Sequence, residues 1–440
     1  DIVPVVPYEY AIIPDQGQEL VASTGLPFAT NENYVFQLDT TDLFNSPLFQ
    51  TTTISNKNGA VVKWQPSLLQ NMPDSMVYFW RVSKDSTSTQ GYNWKESSFQ
   101  FIPGKRGWGQ AHHFQFKKDD FQYIKYDKPG RKFSFVNDVK QLFCKTYGDP
   151  LITGPLSDIL YKIDSETRAY NGIGWAPAIH LAVLDSSTLE SWNSNNLNMG
   201  QDNLTGNKRA IFIFRTQNPT QLQAMENMLN DSIPDGHYVL AYTWRYGYFN
   251  QWNASTINAF TSLGASSIST IGDSIPYIFF AKVGSPSTAT EVVGTNNKDI
   301  ISLTKSLSLN ATYGNILSEI LGPATQWDSI WWRFNSTETP SADSTDISVY
   351  GIDLQGAETL VIPSIPSDSL DINITNKINA AAYPFLKFSM HTKDDSIKTP
   401  SQLKRWQAIY SGVPECALNP EIEFSFYNDT VAEGEDLSLK

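Results

Sequence analysis

Short runs of alternating apolar and polar residues dominate the chain, and turn residues separate them. The first hundred residues contain seven such runs, at Glu9–Ile13, Glu19–Ser23, Tyr34–Asp39, Phe49–Ile54, Ala60–Trp64, Met76–Ser83 and Ser97–Ile102. Alternation with a period of two residues is typical of half-buried antiparallel strands. Seven strands at this spacing predict a β-sandwich over residues 1–103.

Two further segments carry strand patterns, and the first of them is too short to form a sandwich alone. Strands are predicted at Phe114–Lys117, Phe121–Tyr126, Lys132–Val136, Ser329–Phe334, Ile347–Asp353, Thr359–Ile362, Ala381–Met390 and Arg405–Tyr410. We expect residues 104–150 and 295–418 to pair in one discontinuous, jelly-roll-like β-sandwich. Residues 151–294 would then be inserted between its strands, as compact domains tolerate.

The segment 151–294 mixes strand and helix signals. Apolar strands are predicted at Ala178–Leu184, Ala210–Arg215, His237–Thr243 and Tyr277–Val283. Asn218 and Pro219 have the side chains that favour the start of a helix, and a second helix over Ala254–Leu263 ends at Gly264. The predicted fold class is therefore mainly β and multidomain, with an α+β domain inserted in the second sandwich.

Both ends of the sequence indicate a piece of a longer protein. The chain begins at Asp1, without Met, on a proline-rich lead. Residues 419–440 are typical of the first strands of another, Ig-like sandwich. We expect a following domain there.

Charge and composition narrow the function. The net charge of −13 argues against nucleic acid, which needs basic patches, and against a polybasic membrane-surface role. No apolar run approaches the roughly 18 residues that a transmembrane helix needs, so we expect no membrane insertion. Charged residues make up only 18% of the chain, and neutral polar residues fill the surface, which suits extracellular β-sandwiches.

The N-terminal strands resemble a known module. Tyr78–Val82, followed by Trp94 and Ser97–Phe101, is similar to the last two strands of a fibronectin type III domain, and Tyr34–Asp39 is similar to its central strand. The resemblance covers about 95 residues of the chain. It implies a sandwich that acts as a spacer, because such modules specify fold far better than function.

Residues 151–294 resemble the interleukin-like EMT-inducer (FAM3/PANDER, ILEI) domain. The matching stretches follow in the family's order: Ala178–Asp185, Leu222–Leu229, Ile233–Ala241, Ala259–Ala265 and Tyr277–Gly284. The resemblance implies an α+β domain. One member of the family, the stem domain of a mammalian O-mannose N-acetylglucosaminyltransferase, binds carbohydrate with Arg and Asp residues. The resemblance therefore also implies a carbohydrate site.

The whole arrangement resembles the region downstream of the peptidase in gingipain-family (C25-like, PorU-type) sortases of the type IX secretion system of Bacteroidota. The residues that carry this resemblance are Gly107–Phe116, Gly322–Trp327 and Pro400–Trp406. It implies a location in the periplasm or at the cell surface of a Gram-negative bacterium. It also implies a role accessory to a peptidase that lies outside these residues.

Residues with catalytic chemistry are few and scattered. Cys144 and Cys416 have no histidine beside them in the sequence, and they are either two free thiols or one long-range disulfide. The adjacent His112 and His113 would point to opposite faces of a strand, which disfavours a shared metal ion. The acidic pairs Asp119–Asp120 and Asp394–Asp395 are interpreted as turns. We therefore expect no catalytic centre, metal or cofactor.

The densest aromatic segment, 242–252, is the candidate binding site. Exposed aromatic rings can stack on sugars while Arg and Asp bind the hydroxyls, which makes Trp244, Arg245, Tyr248, Trp252 and Asp273 the candidate ligand-binding residues. The sequence departs from the EMT-inducer pattern here, because Trp244-Arg245 stands where the family has an Asp. The same aromatics could instead dock the inserted domain onto its host sandwich, and both interpretations stay open.

Two functions are consistent with these observations. The first is a non-catalytic structural and interaction segment of a large surface or secretion-associated protein, which supports a peptidase or sortase module. Its partners would be other domains of the same polypeptide or secretion-system proteins. The second is a carbohydrate-binding module that uses the aromatic segment to bind glycans.

Overall fold

The strands form six sheets in the part of the chain that is described. The computed structural model describes residues 2–24, 32–56, 61–69, 76–86, 91–148, 159–170, 177–200, 210–339 and 341–413. Within these ranges the chain is mainly β and contains several packed units, which is the predicted class.

The first eight strands build an N-terminal sandwich. They are β1 (Val3–Val6), β2 (Ala11–Ile13), β3 (Leu20–Ser23), β4 (Glu32–Asp39), β5 (Gln50–Asn56), β6 (Val61–Trp64), β7 (Tyr78–Lys84) and β8 (Lys95–Phe101). β1, β3 and β6 form one sheet, and β5, β4, β7, β8 and β2 lie side by side in another. The core between them includes Phe36 and Trp80, whose rings stack in parallel at 6.2 Å. All seven predicted strands of this region are present.

The next segment contributes five strands and a short helix. The strands are β9 (Gly107–Gln110), β10 (Asp120–Gln122), β11 (Ile124–Asp127), β12 (Lys132–Phe135) and β13 (Asn137–Tyr147). The segment predicted as the strand Phe114–Lys117 is instead a 3-10 helix, His113–Lys118. The His112 side chain accepts the N–H of Phe114, and the Gln115 side chain accepts the N–H of His112. These caps satisfy backbone N–H groups at the start of the helix, which have no partner within it.

The central region contains seven strands and two α-helices. The strands are β14 (Leu160–Ile163), β15 (Glu166–Tyr170), β16 (Ala178–Leu184), β17 (Phe212–Arg215), β18 (Tyr238–Trp244), β19 (Tyr277–Lys282) and β20 (Ser285–Val293). The helices are α1 (Pro219–Asn227), continued by a π-helical turn over Met228–Ser232, and α2 (Ala254–Ser262), which follows a 3-10 turn over Phe249–Gln251. Both helices begin where predicted, with the side chains of Asn218 and Asn253 as caps.

The last eight strands complete the second sandwich. They are β21 (Ile300–Asn310), β22 (Tyr313–Leu317), β23 (Ala324–Asn335), β24 (Ser344–Ile352), β25 (Glu358–Pro366), β26 (Asp371–Asn373), β27 (Phe385–Lys393) and β28 (Gln402–Gly412). Strands β10, β22, β27, β24 and β25 form a five-stranded sheet in that order. Because β10 comes from 104–150 and the other four come from 295–418, the two segments share this sheet.

One nine-stranded sheet joins the N-terminal sandwich to the second one. Its order is β26-β23-β28-β9-β2-β8-β7-β4-β5. β9 is the connecting strand, because it pairs with β2 on one side and β28 on the other, with Trp108 opposite both Ala11 and Ala408. The sheet therefore does not break at the expected domain boundary between residues 103 and 104.

The inserted α+β unit is smaller than the segment 151–294. β14 and β15 do not join its sheet but extend β13 and β21 into a four-stranded sheet, β15-β14-β13-β21. The sheet of the insert runs β17-β16-β18-β19-β20. One of its faces packs against α1 and α2, and the other packs into the large core that contains Leu142 and Leu303 of the neighbouring sheet. Two-sided burial explains why every residue of β16 except His180 is apolar.

Two predictions remain to be placed against the structure, one on membrane spans and one on the C-terminal residues. No helix within the described chain combines the length and the apolar character that crossing a bilayer requires. The predicted Ig-like start at 419–440 and the second cysteine, Cys416, lie outside the described residues.

Candidate functional site

Trp244, the first of the candidate ligand-binding residues along the chain, is part of the core. It ends β18, where alternate side chains point to opposite faces of the sheet, so Tyr242 and Trp244 share one face. Trp244 is only 1% exposed and stacks on His180 of β16, with ring centroids 5.2 Å apart and planes at 8°. Both residues of this face, Tyr242 and Trp244, belong to the large core that joins the insert to its neighbour.

Trp252, the second indole of the segment, is buried on the opposite side of the sheet. It is 6% exposed and packs between Phe249 and Phe260, at centroid distances of 5.0 and 5.4 Å. Its Nε1–H donates to the carbonyl of Gly247 at 3.0 Å, which satisfies the only polar atom of the ring. Trp252 therefore anchors the start of α2 in the helix-side core.

Asp273, in the connection between α2 and β19, holds the segment 242–252 in place. Its backbone carbonyl accepts the N–H groups of Gly247 and Tyr248, at 3.0 and 3.2 Å. Its carboxylate accepts the N–H of Asn250 at 2.8 Å. Arg245 and Tyr248 both have positive φ, 66° and 47°, a conformation that costs energy in residues with side chains and persists only where neighbours impose it. These bonds supply that constraint.

The predicted ligand surface is therefore only partly assembled. Trp244 and Trp252 offer no accessible ring face, so the prediction that they contact a ligand is wrong, because tertiary packing buries both. Arg245, Tyr248 and Asp273 are partly exposed and stay candidates without the stacking platform. Strand β18 also contacts β13 directly, where the Thr146 hydroxyl donates to the carbonyl of Thr243 at 2.5 Å. Trp244 packs as the docking alternative expects, whereas Trp252 packs within the insert itself.

Neither Cys144 nor His180 has the environment of a catalytic nucleophile or of its base. Cys144 is fully buried on β13, and burial raises the pKa of its thiol well above the ordinary value. Burial lowers the pKa of His180 to about 3, and its Nε2 has no hydrogen-bond partner among the described residues. The pairing of Cys144 with Cys416 stays a prediction, since Cys416 is not described.

Three carboxylates form the one group within the described ranges that is close enough to share a metal ion. Their oxygens, on Glu338, Asp343 and Asp394, lie within 4.8 Å of one another. Asp394 is buried, and its oxygens already accept the backbone N–H groups of Ser396, Ile397 and Thr399. These bonds are those of the turn predicted at Asp394–Asp395. The carboxylates come from segments about fifty residues apart, so sequence spacing gave no sign of the group.

The second predicted acidic turn, Asp119–Asp120, has a buried member. Asp119 accepts a hydrogen bond from the Gln110 side chain at 2.9 Å, while its Oδ2 has no partner among the described residues. Burial raises the pKa of Asp119 well above its ordinary value, against that hydrogen bond, and the nearby Glu319 carboxylate adds to the rise. Asp119 follows the 3-10 helix and ties it to β9, which is a structural role.

Comparisons with known proteins add no family. No family model matches the chain, and no curated protein matches it. Among solved structures, an alpha-L-rhamnosidase from Dictyoglumus thermophilum aligns with 94% of this chain and 47% of its own, at 9% identity and a TM-score of 0.18. The FN1–FN3 domains of chicken CNTN1 align with 93% of this chain and 97% of theirs, at 10% identity and a TM-score of 0.16.

The chain thus spans about half the length of the rhamnosidase chain that it matches. At these TM-scores neither structure informs the function of this chain. The mainly β, multidomain class rests on the strands and sheets described above.

Proposed function

We propose that this chain is a non-catalytic structural and interaction segment of a larger surface or secretion-associated protein. Its two sandwiches and the inserted α+β unit would form a support for a peptidase or sortase module outside these residues. The segment would act at the cell surface or in the periplasm of a Gram-negative bacterium, as the resemblance to type IX sortases implies.

The observation that carries the proposal is the nine-stranded sheet. A string of independent spacer modules is joined by flexible linkers, with few contacts between modules. Here β9 hydrogen-bonds to β2 and to β28, so two sandwiches share backbone ladders. The Tyr8 hydroxyl adds to this connection, since it donates to the carbonyl of Gly107 at 2.7 Å and lies 3.0 Å from the Tyr410 hydroxyl. A rigid support follows from such a junction.

The Gly107→Ala variant tests the rigid connection. A Cβ at Gly107 would lie 2.0 Å from the carbonyl oxygen of Ala408, so the variant cannot keep the β9–β28 ladder. We expect the unmodified chain to unfold its two sandwiches in one calorimetric transition and the variant to show two. The matched control is Gly17→Ala, at an exposed glycine without a positive φ, where a Cβ meets only the end of the Gln65 side chain, at 3.4 Å. Separate transitions in the unmodified chain would contradict the proposal.

A substrate screen tests the absence of catalysis. We expect no turnover of peptide, ester or glycoside substrates by the purified chain. Turnover that disappears when a single residue of this chain is substituted would overturn the proposal, because it would place an active centre here. A trace activity that every substitution leaves unchanged identifies a contaminant and agrees with the proposal.

A further inference from the structure

A basic groove lies between the β11–β12 hairpin and the β23–β28 ladder. It has a volume of about 700 Å³, and six of its lining residues carry or can carry positive charge: His112, His113, Arg131, Arg333, Lys404 and Arg405. None of its lining residues is acidic. This is notable in a chain with 45 acidic and 32 basic residues, where a random surface would be acidic.

The floor of this basic groove is the β23–β28 ladder, and a bulge concentrates charge there. Arg333 of β23 lies directly opposite Arg405 of β28, and the next pair is Phe334 with Leu403. Lys404 is therefore the extra residue of a β-bulge. Bulges redirect side chains and occur often beside functional sites, whereas like charges directly opposite one another destabilise a sheet. The arrangement costs stability and brings three cations together.

The wall of the groove is the β11–β12 hairpin, which is fixed to the floor. Gln402 of β28 accepts the N–H of Phe133 at 2.8 Å and donates to its carbonyl at 3.0 Å, as a neighbouring strand would. Arg131 lies at the hairpin turn with a φ of 49°. The groove is therefore built from rigid elements, and one of its arginines occupies a conformation that costs energy.

Acidic neighbours neutralise only part of this charge. Asp371 takes both ends of the Arg333 guanidinium, at 2.8 Å each, and Asp42 lies 3.0 Å from Arg131. Lys404 is exposed and forms no ion pair with any described residue. Burial lowers the pKa of His113, the hydrogen bond to the carbonyl of Asp127 opposes this change, and the charges of Arg131 and Lys404 lower the pKa further.

We propose that the basic groove binds an acidic polypeptide segment, whose Asp or Glu carboxylates pair with Lys404, Arg131 and Arg405. Arginine forks match carboxylates, and clusters of them recognise acidic motifs. Two alternatives fit less well. A sugar needs an exposed ring face, but Phe133 is buried and Phe334 stacks on Trp332 at 4.9 Å. A nucleic acid would be repelled by the chain's net charge of −13.

The test uses the full chain and a fluorescent decapeptide of alternating Glu and Ser, with a Gln and Ser decapeptide as the neutral probe. Fluorescence anisotropy should show binding of the acidic peptide only, and the affinity should fall as salt rises. Lys404→Glu should weaken binding about tenfold or more. Arg131→Gly should also weaken it, and glycine suits the positive φ there, so this variant keeps the fold.

The matched control is Lys298→Glu, which changes the net charge equally at an exposed position outside the groove. Its affinity should equal that of the unmodified chain. The proposal is overturned by three results: an equal loss in the Lys298 and Lys404 variants, no discrimination between the two peptides, or preferential binding of an oligogalacturonate or single-stranded DNA competitor. None of these results depends on whether the chain supports a peptidase.

Discussion

The aromatic segment and the basic groove both differ from what the sequence alone predicts for them. The segment 242–252 concentrates the residue types that bind sugars, yet its two indoles are buried in two different cores. The residues of the groove form no single cluster of basic side chains along the chain, because they come from positions as distant as 112 and 405. An unusual local composition thus predicts that a segment matters, whereas only long-range packing decides whether its side chains face the core or the solvent.

Replacing Trp244 should lower the stability of the protein more than any substitution in the groove. Trp244→Ala removes a buried ring from the junction between the insert and its neighbour, so we expect a loss of about 3–5 kcal/mol in the free energy of unfolding. Chemical denaturation followed by circular dichroism measures it. Leu354→Ala, at a site that is 75% exposed, is the control and should change little. A small loss at Trp244 would return it to the list of ligand-binding residues.

Acid should weaken the same junction through His180. Because burial holds the pKa of His180 near 3, below the ordinary 6.5, the unfolded chain binds more protons than the folded one between these values. Stability therefore rises with pH across this window and falls on acidification, by roughly 3 kcal/mol between pH 6.5 and about pH 4.

His180→Phe removes this titration and keeps a ring against Trp244. Its free energy of unfolding, measured over the same pH range, should fall less steeply than that of the unmodified chain. Equal slopes for the two proteins would show that His180 does not carry the acid sensitivity.

Removing the Gln402 side chain, which fixes the hairpin to the floor of the groove, should lower stability by an intermediate amount. Gln402→Ala leaves the buried N–H and carbonyl of Phe133 without their partner, which costs about 1–3 kcal/mol. Denaturant titration gives the loss. An unchanged stability in Gln402→Ala would mean that the hairpin is held by other contacts.

The charges of the groove should matter least to stability. Lys404→Ala removes an exposed side chain with no ion pair among the described residues, so the change should stay within about 0.5 kcal/mol. Thermal unfolding at low salt checks this. If Lys404→Ala is clearly more stable than the unmodified chain, the gain measures the repulsion among the three neighbouring cations on β23 and β28.

Local signals in the sequence predicted the elements that depend on local chemistry. Seven of the eight strands of the N-terminal sandwich follow from alternation, whereas β1 lies in the proline-rich lead. The start of α1 follows from Asn218 with Pro219. Gly264, with a φ of 103°, closes α2 as expected. By contrast, no strand is predicted over Ile300–Asn310 or Ser285–Val293, although both are present.

Tertiary structure decided the rest, because the deciding contacts join residues far apart. The alternation of Phe114 and Phe116 suggests a strand, but the Gln115 side chain bonds to Ser98 and caps a 3-10 helix instead. The sequence by itself determined a mainly β chain with a capped α+β insert. Only folding determined that β9 joins two sandwiches, that Trp244 is covered, and that Lys404 is not, since burial is a property of the surface that other segments leave open.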